Sequence, residues 1–150
     1  MSFEITVNGR ACRVAAPPTT PLLDVLRNEL DLKGSRYGCG QEQCGACMVL
    51  LDGAPIYACA REIGTCAGAR IETVEGLAGH PLRAAFLEEQ AGQCGYCLSG
   101  ILMSAKALLD RVARPTRAQI LEALEPHLCR CGTHVRIIRA IERAVQETAS

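Results

Sequence analysis

Three observations predict an α+β chain. Short alternating strands fill the first half, helical periodicity takes over near residues 76–80, and eight of the ten cysteines fall into two quartets, one in each half. The expected organisation is a small sheet domain over residues 1–77 and a four-helix bundle over residues 78–150.

Phe3–Val7 alternates apolar and polar residues, Asn8-Gly9 is a strong two-residue hairpin signal, and Ala11–Val14 forms the returning strand. Thr20-Pro21 reads as a helix start, with Thr20 as N-cap, proline at the first helical position, and Leu22, Leu23, Leu26 and Leu30 as the apolar stripe. Met48–Leu51 and Pro55–Ala58 flank an Asp52-Gly53 turn, and Arg70–Thr73 is the last strand. From residue 80 the period changes. His80-Pro81 opens a helix with Leu82, Ala85 and Phe86 inward. Ile101, Leu102, Ala105, Leu108, Leu109 and Val112 mark a second helix. Thr116-x-x-Gln119 is a capping box ahead of Ile120, Leu121 and Leu124, and Ile137, Ile138, Ile141 and Val145 mark the last helix. Four helices with short connections make a small bundle.

The first cysteine quartet is Cys39-x4-Cys44-x2-Cys47 with Cys59 following, the spacing of plant-type two-iron, two-sulfur sites. Glycines at 38, 40 and 45 allow the loop to curl and aim backbone N–H groups at the sulfurs. Three ligands in nine residues fit the paired knuckles of a zinc site poorly. Five strands and one helix around such a loop suit a β-grasp, plant-type ferredoxin-like domain. The second quartet is Cys94-x2-Cys97 and, after a gap of thirty-one residues, Cys129-x-Cys131. Cys94 and Cys97 lie near a helix start, where amide groups and the dipole favour thiolates. Cys129-Arg130-Cys131 falls between two helices and can close the site from the other side. On spacing alone, iron–sulfur and zinc both remain open there. Arg130 reads as a solvated arginine, with offset of cluster charge as the alternative.

Composition narrows the function classes. Sixteen basic residues balance sixteen acidic ones, which removes the usual electrostatic case for nucleic acid or an anionic membrane. Residues are 49% hydrophobic, yet Trp is absent and only three Tyr and two Phe occur. Two domains of roughly 75 residues bury thin cores, so metal ligation is expected to staple them. Met1–Ile5 lacks the basic start and apolar stretch of a signal peptide, and no apolar run reaches the roughly 18 residues of a spanning helix. A cytoplasmic protein, reaching a membrane only through partners, is expected, and its grouped cysteines then read as metal ligands, not disulfides.

Four motifs carry a resemblance that runs essentially end to end: Gly38-Cys39-Gly40, Cys44-Gly45-Ala46-Cys47, Gln93-Cys94-Gly95-Tyr96-Cys97 and Leu128-Cys129-Arg130-Cys131. With Glu75-Gly76-Leu77, His80-Pro81-Leu82 and Pro115-Thr116, they resemble the small iron–sulfur subunit of molybdenum hydroxylases, the xanthine dehydrogenase family. The resemblance implies two 2Fe-2S clusters, held by Cys39, Cys44, Cys47 and Cys59 and by Cys94, Cys97, Cys129 and Cys131. It implies a large molybdopterin-binding partner subunit, with the cofactor in its cytosine dinucleotide form, that hydroxylates an N-heterocycle or aldehyde using water. The helical-domain cluster would then lie nearer the pterin and the plant-type cluster nearer the exit, with Gln93 and Cys131 as neighbours of the pterin. Leu98-Ser99-Gly100 stands where many relatives have Thr-Pro-Gly, and Gly132-Thr133-His134 where many have Thr-Gly-Tyr. This variant resembles the subgroup with the small subunits of nicotinate and isoquinoline dehydrogenases, whose electrons often leave through a cytochrome c domain instead of a flavin subunit.

Against this stand a free-standing ferredoxin-like carrier, which would favour a strongly acidic surface, and a zinc-stapled interaction module, which would be colourless. No acid–base pair surrounds His80, His127 or His134, so no catalytic residue is expected in this chain. His80 reads as a capping or surface residue. Cys12 and Cys66 read as buried inert thiols, and Met48 and Met103 as core.

Overall fold

The computed structural model describes residues 1–149 and has the predicted α+β fold. Strands β1 (Ser2–Val7), β2 (Arg10–Ala15), β3 (Met48–Leu51), β4 (Ala54–Tyr57) and β5 (Arg70–Glu72) form one mixed sheet in the order β2-β1-β5-β3-β4. β1 and β2 pair antiparallel from Ser2↔Ala15 to Val7↔Arg10. Their turn has Asn8 at φ +50° and Gly9 at φ +80°, the left-handed pair that matches the twist of a two-residue hairpin. β3 and β4 repeat the device with Asp52 and Gly53 at +49° and +86°. β5 joins the hairpins, parallel to β1 and antiparallel to β3.

The helix after residue 20 departs from its expected start. Pro21, with an extended ψ of 138°, is the residue before helix α1 (Leu22–Asp24), and no side chain caps it. Thr20 instead accepts a hydrogen bond from Ile63 N at 2.8 Å through its carbonyl, and Pro21 bridges Glu62. Tertiary pairing therefore holds Thr20-Pro21 extended and overrides the local capping signal. The helix then widens into a π-helical stretch, Val25–Glu29, and Leu22 and Leu23 of α1 are buried together with Val25 and Leu26 of that stretch.

The other four helices are α2 (Pro81–Glu88), α3 (Leu98–Arg111), α4 (Arg117–Leu124) and α5 (His134–Ala149), and they form the expected bundle. The Thr116–Gln119 capping box is formed in both directions. His80 is the N-cap of α2, its Nδ1 accepting from Leu82 N at 3.1 Å.

Three apolar clusters hold the molecule. One lies under the sheet against α1 and includes Phe3, Ile5, Leu23, Val49 and Ile71, and one fills the bundle around Ile101, Ile120, Ile137 and Ile141. The third joins them: Met48 and Leu50 meet Leu77, Met103 and Ala107. Alternation along β3 sends Val49 to one face of the sheet and Met48 and Leu50 to the other, so both faces of this strand are buried.

Burial and the nearby Lys106 lower the His80 pKa, so the neutral capping form is favoured in the fold. A group lowered on folding contributes stability above its unfolded pKa and loses it as pH falls through and below that value. His80→Ala is expected to cost about 1 kcal/mol at pH 8, the typical worth of an N-cap, and less at pH 5. Denaturant midpoints at the two pH values check this, and an equal cost at both would exclude a neutral imidazole cap.

Candidate metal centres

Three of the first quartet, Cys39, Cys44 and Cys47, are carried by the loop between the π-helical stretch and β3. Gln41 N and Gln43 N point at Cys39 Sγ at 3.3 and 3.2 Å, and Ala46 N points at Cys44 Sγ at 3.5 Å. The loop thus aims its amides at sulfur, as its glycines led one to expect. Gly38 is required sterically, since a Cβ there would lie 2.6 Å from Cys44 Sγ. The Gln41 and Gln43 amides bring Cys39 down to about 7. Cys47, buried immediately before β3, is pushed up to about 12 by burial, with Cys59 beside it in the turn after β4.

The second quartet spans the α2–α3 and α4–α5 connections. Cys94 is exposed and receives Tyr96 N at 3.5 Å, and that amide together with the Cys131 thiol lowers its pKa. Cys97 occupies the N-cap position of α3. The helix start does not favour its thiolate as expected, because burial outweighs it and pushes the thiol up to about 12. Burial would raise Cys129 too, but the Thr133 amide and hydroxyl, Cys97 and the Gly132 amide together bring it down to about 7.

All ten cysteines are free. Within each quartet the thiols influence one another: Cys39 is tied to Cys44 and Cys47 to Cys59, with Cys44 also acting on Cys47, and Cys94 is tied to Cys131 and Cys97 to Cys129, with Cys129 also acting on Cys94. Among the described residues no three His, Cys, Asp or Glu side chains converge as they would on one metal ion. A two-iron group takes two thiolates per iron, a demand that four thiols grouped in this way can meet.

The two loops also touch. Leu128 N donates to Cys44 O at 3.1 Å, Ser99 Oγ to Ala46 O at 3.3 Å, and Arg36 to Gly95 O at 2.6 Å. The Tyr96 hydroxyl donates to Tyr37 O, and the Arg36 guanidinium lies 5.2 Å from the Tyr96 ring centroid. Gln93 is exposed beside Cys94, in a hollow of about 620 Å³ shared with Arg83, Leu87 and Arg136, and Cys131 is half-buried.

Cys66 is fully buried, as expected, but Cys12 is half-buried on edge strand β2, because its neighbours alternate to the open face. Arg130 is exposed. His127, which no motif marked, is buried with Nε2 2.6 Å from Ser104 Oγ. Burial lowers it to about 4 against the opposing pull of the Gly45 backbone.

In the metal-free chain at pH 7.5, Cys39 and Cys129 are expected to alkylate on the order of 100-fold faster than Cys47 and Cys97, since larger thiolate fractions outweigh lower intrinsic nucleophilicity. Mass-spectrometric labelling rates check this. Comparable rates at all four would show that the loops lose this arrangement without metal.

Comparison with known proteins agrees with this geometry. Residues 5–78 match a family described as a 2Fe-2S iron-sulfur cluster binding domain, and residues 73–142 match a 2Fe-2S binding domain. One subunit of the nicotinate dehydrogenase of Pseudomonas putida is 50% identical over 97% of this chain and 95% of its own length. The alpha subunit of isoquinoline 1-oxidoreductase from Brevundimonas diminuta is 45% identical over 98% of this chain and 99% of its own. Quinoline 2-oxidoreductase from Pseudomonas putida 86 superposes with a TM-score of 0.94 at 34% identity, covering 99% of this chain and 96% of that one. The aldehyde oxidoreductase of Desulfovibrio gigas gives a TM-score of 0.93 at 38% identity over 97% of this chain but 17% of the larger protein. With two such domains and relatives matched along their whole length, the chain belongs to the molybdenum hydroxylase family as a small iron–sulfur subunit, one part of an oxidoreductase.

Proposed function

We propose that this chain carries electrons from a large molybdopterin-binding partner subunit to an external acceptor, while the partner hydroxylates an N-heteroaromatic ring. The substrate favoured is nicotinate, converted to 6-hydroxynicotinate, on the strength of the 50% identical relative's name. Hydroxylation with water as oxygen source releases two electrons and two protons, and bound 2Fe-2S groups supply one-electron carriage. In this reading Cys39, Cys44, Cys47 and Cys59 hold one group, and Cys94, Cys97, Cys129 and Cys131 the other. Gln93 and Cys131 face the edge of the pterin, in its cytosine dinucleotide form. The acceptor is a cytochrome c domain or a flavin subunit, and the complex is cytoplasmic. Residues 1–77 and 78–150 act as the two cluster-bearing domains.

The observation that carries the subunit reading is the surface around the second quartet. Leu87, Leu128, Val135 and Tyr96 are 70%, 63%, 64% and 49% exposed, all in the helical half. A free-standing carrier has no reason to leave these apolar groups in water, whereas a subunit buries them against its partner. Among the described residues no helix is long and apolar enough to cross a membrane.

The native complex, isolated anaerobically through this chain, is expected to be brown and to bleach on adding nicotinate. Bleaching by dithionite alone would retain the electron-carrying role and remove nicotinate as substrate. A colourless preparation would return zinc as the metal. In complexes with both clusters assembled, Cys131→Ser is expected to slow the first reduction by substrate more than Cys59→Ser does. Equal rates in stopped-flow absorbance would overturn the proposed order of the two sites.

A further inference from the structure

Between the two cysteine quartets the backbones come into direct contact, and the contact is keyed by one side chain. Gly100 is the third residue of α3, three positions after Cys97. A Cβ on Gly100 would drive into the carbonyl oxygen of Gly45, which lies between Cys44 and Cys47, and would sit 3.3 Å from His127 Cε1. A Cβ on Gly45, itself at φ +77°, would strike His127 Nδ1 and lie 2.8 Å from Pro126 O. Both glycines are therefore dictated by the approach of one quartet's loop to the other's helix.

We propose that His127 is a positioning residue that, with the Gly45–Gly100 contact, sets the separation of the two metal groups. The imidazole is 5% exposed and meets two segments at once: Gly45 from the first quartet's loop, and Gly100 and Ser104 from α3. It lies two positions before Cys129 in the chain. Its Nε2 is hydrogen-bonded to Ser104 Oγ, a hydroxyl that is itself 4% exposed, and its Nδ1 lies against Gly45. An apolar filler would avoid the cost of burying two polar ring nitrogens, so packing alone does not explain a histidine here. The Ser104 bond does explain it, because it anchors the ring beside Gly45 and Gly100. The adjacent Leu128 amide, bonded to Cys44 O, then holds the two loops in register. Electron transfer between bound groups depends steeply on their separation, so this spacer is a property of rate and not only of fold.

The inference rests on the ligand assignment proposed above, and the test separates the two. Electron paramagnetic resonance of the fully reduced native complex reads each 2Fe-2S group by its own signal and reads their separation by the splitting between them, which falls with the inverse cube of distance. Gly100→Ala is expected to retain both signals and lose part of the splitting. His127→Phe and Ser104→Ala are expected to do the same with smaller losses, and His127→Gln, which keeps a polar group toward Ser104, to restore it. Unchanged splitting in Gly100→Ala, or in the His127 and Ser104 variants should Gly100→Ala fail to assemble, overturns the spacer while leaving the ligands in place. A splitting lost equally in His127→Phe and His127→Gln also overturns it. Absence of either 2Fe-2S signal from the unmutated complex overturns the ligand assignment first, and the spacer with it.

Discussion

Each cysteine quartet contains a thiol that the fold has buried, and the rest of the structure depends on that constraint. Cys47 and Cys97 are both pushed up to about 12 by burial, so neither ionises unaided near neutral pH. Each is matched within its quartet by a thiol poised near 7: Cys39 through the amides of Gln41 and Gln43, and Cys129 through Thr133 and its loop. Two unrelated loops have reached the same division into a reluctant and a ready sulfur. A coordinated metal deprotonates a thiol outright, so metal binding removes the penalty that burial imposes. The thin cores of the two halves and the placement of their cysteines are thus one problem with one solution.

The sheet transmits that solution across the molecule. Cys47 directly precedes β3, and the next residues, Met48 and Leu50, pack on Met103 and Ala107 of α3, the helix that begins after Cys97. Moving β3 therefore moves both quartets. Lys106, on the same helix, adds ion pairs to Glu72 of β5 at 2.8 Å and to Asp110 at 2.7 Å. Partly exposed pairs contribute little free energy, but the Glu72 pair ties the rotation of α3 to the sheet, while the Asp110 pair lies within the helix. Apolar burial supplies the adhesion here and polar contacts supply the register.

Much of this was readable in the sequence where the signal was local. Asn8-Gly9 and Asp52-Gly53 encode their turns by backbone angle, and Thr116-x-x-Gln119 encodes its cap by side-chain reach, so neither needs the rest of the chain. The cysteine spacing is legible for the same reason. What escaped depends on distant partners. Thr20-Pro21 is extended because Glu62 and Ile63 lie beside it, and His127 matters because Gly45 and Gly100 approach it from segments far away in sequence. Cys12 looked like a core thiol by residue type, yet its place on an edge strand leaves it half-buried.

The distribution of exposed apolar groups bears on why this machinery is not a free carrier. Around the first quartet the loop surface is mostly polar, with Gln41, Glu42 and Gln43 exposed and Tyr37 the one large exposed apolar side chain, and a transient partner can meet and leave such a surface. Around the second, Leu87, Leu128 and Val135 are exposed and Gln93 stands in an open hollow. Leu128 makes the distinction sharp: its amide is committed to Cys44 inside the molecule while its side chain projects outward beside Cys129. A side chain held so firmly by its own backbone cannot turn inward to escape water. Its exposure is built into the contact between the two cysteine-bearing loops, and the partner proposed above for the helical face would take up what that geometry leaves in water.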